Sequence, residues 1–259
     1  MEQMNELFSI AGKVALVTGG SRGIGLMIAR SFVAAGARVY VSSRKAAACE
    51  ATAQALSGPG ECLPLPADVS RMDDIARVVE TLTAREGRLD ILVNNAGATW
   101  GAPLGQFPEA GWDKVMDLNV KGMFFLTQSL LPLLTAHATA AAPARVINIG
   151  SVDGMHTPAF DNFSYSPSKA AVHQMTRMLA THLAARHVTV NAIAPGPFAT
   201  DMMAPMVATM GETILGKVPL HRMGEEADIG GMAICLASRA GAFVTGAVIP
   251  VDGGLLAAS

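Results

Sequence analysis

Val14-Ala15-Leu16-Val17-Thr18-Gly19-Gly20-Ser21-Arg22-Gly23-Ile24-Gly25 decides the fold. Four apolar residues run into a glycine-rich turn, and the turn opens a helical stretch that continues to about Ala35. An unbroken apolar run is the mark of a strand buried on both faces, as in a parallel sheet. Glycines let the chain turn sharply and let its backbone approach a pyrophosphate, while the helix beyond offers free N–H groups and a positive dipole end. No Gly-Lys-Ser/Thr follows, so this is not the phosphate loop of an ATP- or GTP-binding protein. A tight turn with no ligand is the plainer alternative; its place directly after the first strand favours a dinucleotide site.

Outward from that turn, apolar runs at 38–41, 62–65, 89–93, 145–149, 188–193 and 247–251 alternate with helical stretches at 46–56, 73–85, 112–134, 166–185 and 227–237. Such alternation predicts a parallel sheet with right-handed crossovers. The expected fold is α/β: a single doubly wound Rossmann-type domain over residues 1–259, with a seven-stranded parallel sheet flanked by helices. Sheets of this kind bind ligands beyond the carboxyl ends of their strands, so the residues just after each strand are the ones to read.

Composition narrows the class. Hydrophobic residues are 51% of the 259 and charged residues 15%, which excludes a disordered chain. The apolar excess fits a membrane protein or a sheet covered on both faces. No apolar stretch approaches the ~18–20 residues of a membrane helix, so the sheet is preferred. The first thirteen residues hold no apolar run of signal-peptide length, and a cytoplasmic home is expected. A net charge of −2 and scattered arginines give no nucleic-acid footprint. Cys49, Cys62 and Cys235 stand far apart with no Cys-x-x-Cys, and the six histidines show no His-Glu-x-x-His, so no metal site is expected.

The end of the second strand speaks to the cofactor. An NAD site usually places an acid there for the ribose 2′-hydroxyl. Here the segment is Ser42-Ser43-Arg44-Lys45. Arg44, with Arg22 from the glycine turn, suits a 2′-phosphate, and the expectation is NADP(H). Two merely solvated arginines are the alternative.

Tyr165 and Lys169 stand four apart, on one face of the predicted helix. A tyrosine's ordinary pKa of about 10 is high for acid/base work near neutrality, and a neighbouring ammonium favours the phenolate. Ser151 ends the fifth strand and is placed to donate to a substrate oxygen. Tyr-x-x-x-Lys is common by chance; the serine upstream makes chance the poorer reading. Pro167 fits a helix that begins near Ser166, where a missing N–H costs nothing.

Thr18-Gly19-x-x-x-Gly23-x-Gly25, Asn94-Asn95-Ala96-Gly97, Asn119, Ser151, Tyr165-x-x-x-Lys169 and Pro195-Gly196 stand in this order. With them the chain resembles the short-chain dehydrogenase/reductase family over nearly its whole length. Within it, segments 89–97 followed by Thr99-Trp100-Gly101, 144–152 and 165–171 look similar to bacterial NADPH-dependent β-ketoacyl reductases of the rhamnolipid-pathway type.

The resemblance implies an NADP-dependent oxidoreductase that reduces a ketone, a 3-oxoacyl thioester, to the 3-hydroxyacyl form. A dehydrogenase for another alcohol or ketone such as a sugar acid, or a non-catalytic nucleotide-sensing protein, are the alternatives. It assigns Gly19, Ser21, Arg22, Gly23, Ile24, Gly25, Ser43 and Arg44 to the cofactor's phosphates, and Asp68 and Val69 to its adenine. Asn95, Ala96 and Gly97 line the adenosine side and support the sheet. Pro195, Gly196, Thr200 and the backbone near Ile193 flank the nicotinamide, and Lys169 with Tyr165 meets its ribose. Asn119 holds a water that links Lys169 to solvent. A homotetramer built on the helices after strands four and five and on residues 251–254 is implied, and a role in fatty acid metabolism.

Residues 200–218 read as irregular and carry Met202, Met203, Met206, Met210, Ile214 and Leu215. They are either a lid over a flexible apolar substrate or ordinary packing of a short helical excursion. By resemblance, Trp100, Met155 and Phe160 add to an apolar pocket.

Overall fold

A computed structural model describes residues 6–158, 160–201 and 203–258 of the chain. Seven strands form one sheet: β1 Val14–Thr18, β2 Arg38–Ser42, β3 Glu61–Pro64, β4 Ile91–Asn94, β5 Ala144–Ile149, β6 Val188–Pro195 and β7 Val248–Val251. Every pairing is parallel, in the order β3-β2-β1-β4-β5-β6-β7. This is the expected architecture, with strand ends within about two residues of those read from the sequence. The order reverses between β1 and β4, where the two halves of the chain diverge and leave a crevice at the strand ends.

The helices are α1 Gly23–Ala34, α2 Ala46–Ala55, α3 Met72–Arg85, α4 Glu109–Met116, α5 Met123–Thr135, α6 Tyr165–Leu183, α7 Ala204–Lys217 and α8 Glu226–Ala237. They cover both faces of the sheet, so β1 is buried throughout. Ala15 and Val17 join one core with Ile28 and Phe32 of α1 and Ile229 and Leu236 of α8. Val14 and Leu16 join the other, with Ile75 of α3, Leu126 of α5 and Leu183 of α6. Alternate strand residues thus feed opposite layers, and each fully buried Val or Leu contributes roughly 1.5–3 kcal/mol.

Two expectations are corrected. The stretch 112–134 is not one α-helix: a π turn, Asp117–Gly122, separates α4 from α5. At this turn the chain passes so close to Val69 that a Cβ on Gly122 would lie 2.4 Å from the Val69 carbonyl oxygen. Helical periodicity does not reveal a single widened turn. The segment 200–218 is not irregular either, because α7 occupies fourteen of its residues. Its methionines are good helix formers, and a proline at the helix start is well tolerated there. Met202 and the side chains of Met206 and Met210 lie outside the described residues.

Pro167 falls in the first turn of α6, where the backbone N–H groups have no intrahelical partner. Among the described residues, no helix is long and apolar enough to cross a membrane.

Candidate active site

A cavity of about 750 Å³ opens along the carboxyl ends of the strands. Its floor begins at the glycine turn. Gly19 and Gly23 have φ of 64° and 52°, in the left-handed region that suits glycine. Gly25 is buried beneath the turn, where a Cβ would meet the Gly19 carbonyl oxygen at 2.3 Å. Asn95 locks the turn to β4: its Nδ2 donates to the Thr18 and Gly19 carbonyls at 2.8 and 3.2 Å. Thr18 Oγ1 returns the tie, accepting the Asn95 and Ala96 N–H groups at 3.0 Å. The Asn95 amide therefore braces the cradle from below.

Ser21, Arg22, Gly23 and Ile24 line this end of the cavity at the start of α1. Ser43 and Arg44 line it beyond β2, and Asp68 and Val69 beyond β3. Arg22 and Arg44 are exposed and form no ion pair with a carboxylate among the described residues. Asp68 is engaged locally, accepting Ser70 Oγ at 2.6 Å and the Ser70 N–H at 3.1 Å. A turn whose glycines leave no space for side chains, a helix N-terminus and two unpaired guanidinium groups fit a dinucleotide that ends in a 2′-phosphate.

At the other end, Ser151, Tyr165 and Lys169 line the same cavity with Ala96, Gly97, Pro195, Gly196 and Thr200. Ser151 is 7% exposed; its Oγ accepts the Asp153 N–H at 3.1 Å and stands near enough to the Tyr165 phenol to favour its anion. Lys169 is 5% exposed and donates from Nζ to the Ile149 carbonyl at 2.8 Å. A Cβ on Gly97 would come within 3.7 Å of that Nζ and 3.3 Å of Asn119 Oδ1, so this glycine leaves space for both groups. Thr200 faces the phosphate turn, 3.4 Å from where a Gly23 Cβ would stand.

The electrostatics correct one expectation. Burial pushes the Tyr165 phenol up to about 12; the Ser151 hydroxyl opposes this and the Asp153 carboxylate adds to it. Burial pulls Lys169 down to about 8, against the pull of Asp153. Loss of water costs the phenolate and the ammonium alike, and it is the largest influence on each.

Asn119 and Gly25 do not line the cavity. Asn119, in the π turn, is clamped: Oδ1 accepts the Ala98 N–H at 2.8 Å, and Nδ2 donates to the Ala98 carbonyl at 3.0 Å and to Ser168 Oγ at 2.9 Å. Its amide thus ties the π turn to Ala98 and to Ser168 of α6.

Four side chains went unread in the sequence. Asp153, on the short turn after Ser151, faces His156 Nε2 at 3.5 Å and accepts Asn162 Nδ2 at 3.4 Å, and all three line the cavity. Nearness to Ser151 was the only sequence signal. His173 lies behind the site, 3% exposed, in space that Gly150 and Gly154 leave open. A Cβ on Gly150 would be 2.2 Å from its Nε2. Met155, expected beside the pocket, is exposed and does not line the cavity, nor does Trp100; Phe160 does.

The family model described as enoyl-(acyl carrier protein) reductase matches residues 19–256. A rhamnolipid-biosynthesis 3-oxoacyl-[acyl-carrier-protein] reductase from Pseudomonas aeruginosa is 49% identical over 253 residues, covering 97% of this chain and 99% of its own. A galactitol 2-dehydrogenase (L-tagatose-forming) from Cereibacter sphaeroides is 39% identical over 252 residues, covering 96% of each chain. The Pseudomonas aeruginosa RhlG/NADP active-site complex superposes with a TM-score of 0.93 at 49% identity, over 96% of this chain and 98% of that one. Likeness of this depth runs from the glycine turn past the last strand, over strand ends that bear the motifs in order, and the chain belongs to the short-chain dehydrogenase/reductase family.

Proposed function

We propose that the chain reduces a ketone to a secondary alcohol with NADPH, and that the ketone is a 3-oxoacyl thioester. One observation carries the reading: Ser151, Tyr165 and Lys169 share a single cavity with the glycine turn and with Arg22 and Arg44. The acyl part draws on the 3-oxoacyl-[acyl-carrier-protein] reductase relative at 49% identity. The turn and the α1 N-terminus hold the pyrophosphate, Arg22 and Arg44 the 2′-phosphate, and Pro195, Gly196 and Thr200 the nicotinamide end. When bound, NADPH supplies the hydride.

The chain's own groups handle the oxygen. Ser151 Oγ donates to the carbonyl oxygen and holds it beside the phenol. As negative charge grows on that oxygen, the Tyr165 hydroxyl gives up its proton to it. Lys169 carries the compensating positive charge and returns a proton to the phenolate. The cavity wall beyond Tyr165 includes Phe160, Met203, Ile214 and Leu255, an apolar surface for an alkyl chain. Helix α7 contributes Thr213, Ile214 and Lys217 to that wall, which supports the segment 200–218 as a cover for the substrate.

The test is NADPH oxidation across acetoacetyl-CoA, longer 3-oxoacyl thioesters and a sugar ketone. Turnover of the thioesters is expected. Turnover of the sugar ketone alone rejects the acyl reading in favour of a polyol or sugar-acid dehydrogenase, a reading that the galactitol dehydrogenase relative favours.

A cytoplasmic homotetramer completes the proposal. Met178 on α6 and Phe243 ahead of β7 are exposed, Phe243 completely, and β7 is only partly covered. Apolar surface at these places suits contact between copies. Solution scattering from a monomer rejects the tetramer.

A further inference from the structure

We propose that Asp153 is a positioning residue that sets the pH at which Tyr165 changes from proton donor to proton acceptor, an inference that rests on the reading of Tyr165 as the acid. Three geometric facts place a fixed negative charge there. The Asp153 N–H donates to Ser151 Oγ at 3.1 Å, so the residue is tied to the group that holds the substrate oxygen. Its carboxylate accepts a long hydrogen bond from Asn162 Nδ2 at 3.4 Å and lies 3.5 Å from His156 Nε2, inside the cavity that Ser151, Tyr165 and Lys169 also line. The turn that carries it is pressed onto α6: a Cβ on Gly154 would lie 2.7 Å from the Ala170 nitrogen and the Lys169 carbonyl carbon. Asp153 therefore cannot drift from the catalytic face without opening that contact.

The titratable groups that face Asp153 are His156 on its own segment and Tyr165 and Lys169 on α6. Burial raises the Asp153 carboxyl, while His156, Asn162 and Lys169 favour its anion. That anion opposes a second negative charge on the Tyr165 oxygen and supports the positive charge on Lys169. In ketone reduction the phenol O–H bond breaks, its proton joins the substrate oxygen, and the pair left on the phenol oxygen is the charge that Asp153 resists. In alcohol oxidation the same phenolate must form first, to accept the alcohol's proton. A neighbouring anion therefore moves both pH limbs upward together. The equilibrium of the reaction is untouched; only the pH at which the tyrosine changes role is set.

The test compares wild type with D153N, which keeps the shape and removes the charge, and with D153E, which restores it. The pH dependence of kcat/KM for oxidation of the 3-hydroxyacyl product is measured with each. In D153N the acidic limb is expected to move down by about half to one pH unit, a three- to tenfold gain in rate at a pH on the limb; D153E returns it toward wild type. A uniform loss of rate with an unmoved limb overturns the inference, because a merely structural residue acts that way. A readout independent of turnover comes from the sequence: the chain has two tyrosines, Tyr40 and Tyr165. In a Y40F background, ultraviolet titration follows Tyr165 alone, and Y165F in wild type gives the same signal by difference. Adding D153N is expected to move that titration to lower pH. A titration that stays in place overturns the inference, whereas a shifted titration in a protein that reduces no ketone upholds it and rejects the substrate reading instead.

Discussion

Lys169 Nζ lies 5.5 Å from the centre of the Tyr165 ring, over its face, while its hydrogen bond goes to the carbonyl of Ile149 at the end of β5. Both residues stand on α6, and the lysine side chain is tied across to the strand. The pair is closed by the fold, with the ammonium over the ring's negative face. Both side chains ionise against burial, which makes each a sensitive probe of the site.

Tyr165→Phe removes the proton that is transferred to the substrate oxygen. Turnover is expected to fall by a factor of 100 to 10,000, about the range that a positioned acid supplies. NADPH binding, followed by nucleotide fluorescence, is expected to survive, since the glycine turn and the arginines are unaffected. Near-normal kcat would refute the role.

Lys169→Met is expected to raise thermal stability while it removes activity. The folded protein holds this lysine near 8 against an ordinary 10.5. Below about pH 8 the folded state must keep a buried charge that the unfolded chain carries in water, a cost on the order of 3 kcal/mol. The unfolded chain binds the extra proton between 8 and 10.5, so wild-type stability rises through that window. The advantage of K169M in melting temperature is therefore largest at neutral pH and shrinks as pH climbs toward 10.5. A constant offset across that range would count against the buried charge.

His173→Phe addresses the acid side. Burial, then Lys169 and Arg177, hold this imidazole near 4, against an ordinary 6.5. The unfolded histidine takes a proton below 6.5 and the folded one does not, so stability falls as pH drops from 6.5 to 4, by roughly 3 kcal/mol. Phenylalanine fills the space beside Gly150 and Gly154 without titrating. Denaturant midpoints of H173F are expected to change less than those of wild type across that window. At neutral pH the variant also removes a buried ring nitrogen, Nε2, that has no hydrogen-bond partner among the described residues.

Arg44→Ala is expected to weaken NADPH binding roughly 10- to 100-fold, the scale of a hydrogen bond to a charged group, and to leave NADH nearly unchanged. The ratio of kcat/KM for the two nucleotides reads this directly. An equal loss for both would mean that Arg44 does not touch the 2′-phosphate.

The seven strands were legible because each is a short apolar run bounded by glycine, proline or charge, and because a doubly covered sheet needs such runs. Ser151, Tyr165 and Lys169 were legible from spacing along one strand and one helix. Asp153 and His173 were not, since their neighbours come from Asn162, Gly150 and Lys169 and meet only in the fold. The depression of the tyrosine that lysine spacing suggested gave way to burial, a quantity with no local sequence signal. Helix α7 was hidden because Pro205, Gly211 and Gly216 break up the run of helix-forming methionines and no polar face marks the period.

The π turn at Asp117–Gly122 bears on how such a chain changes over generations. A turn of this kind holds one residue more than a regular helix needs. A single-codon deletion there would restore an unbroken helix and rotate everything ahead of it by about 100° relative to α5. Leu126 and Leu130 could keep their places in the core while Asn119 swung away from Ala98 and Ser168. Asn119's clamp is thus carried as an insertion, which one indel can add or erase without rewriting the hydrophobic layer beneath it.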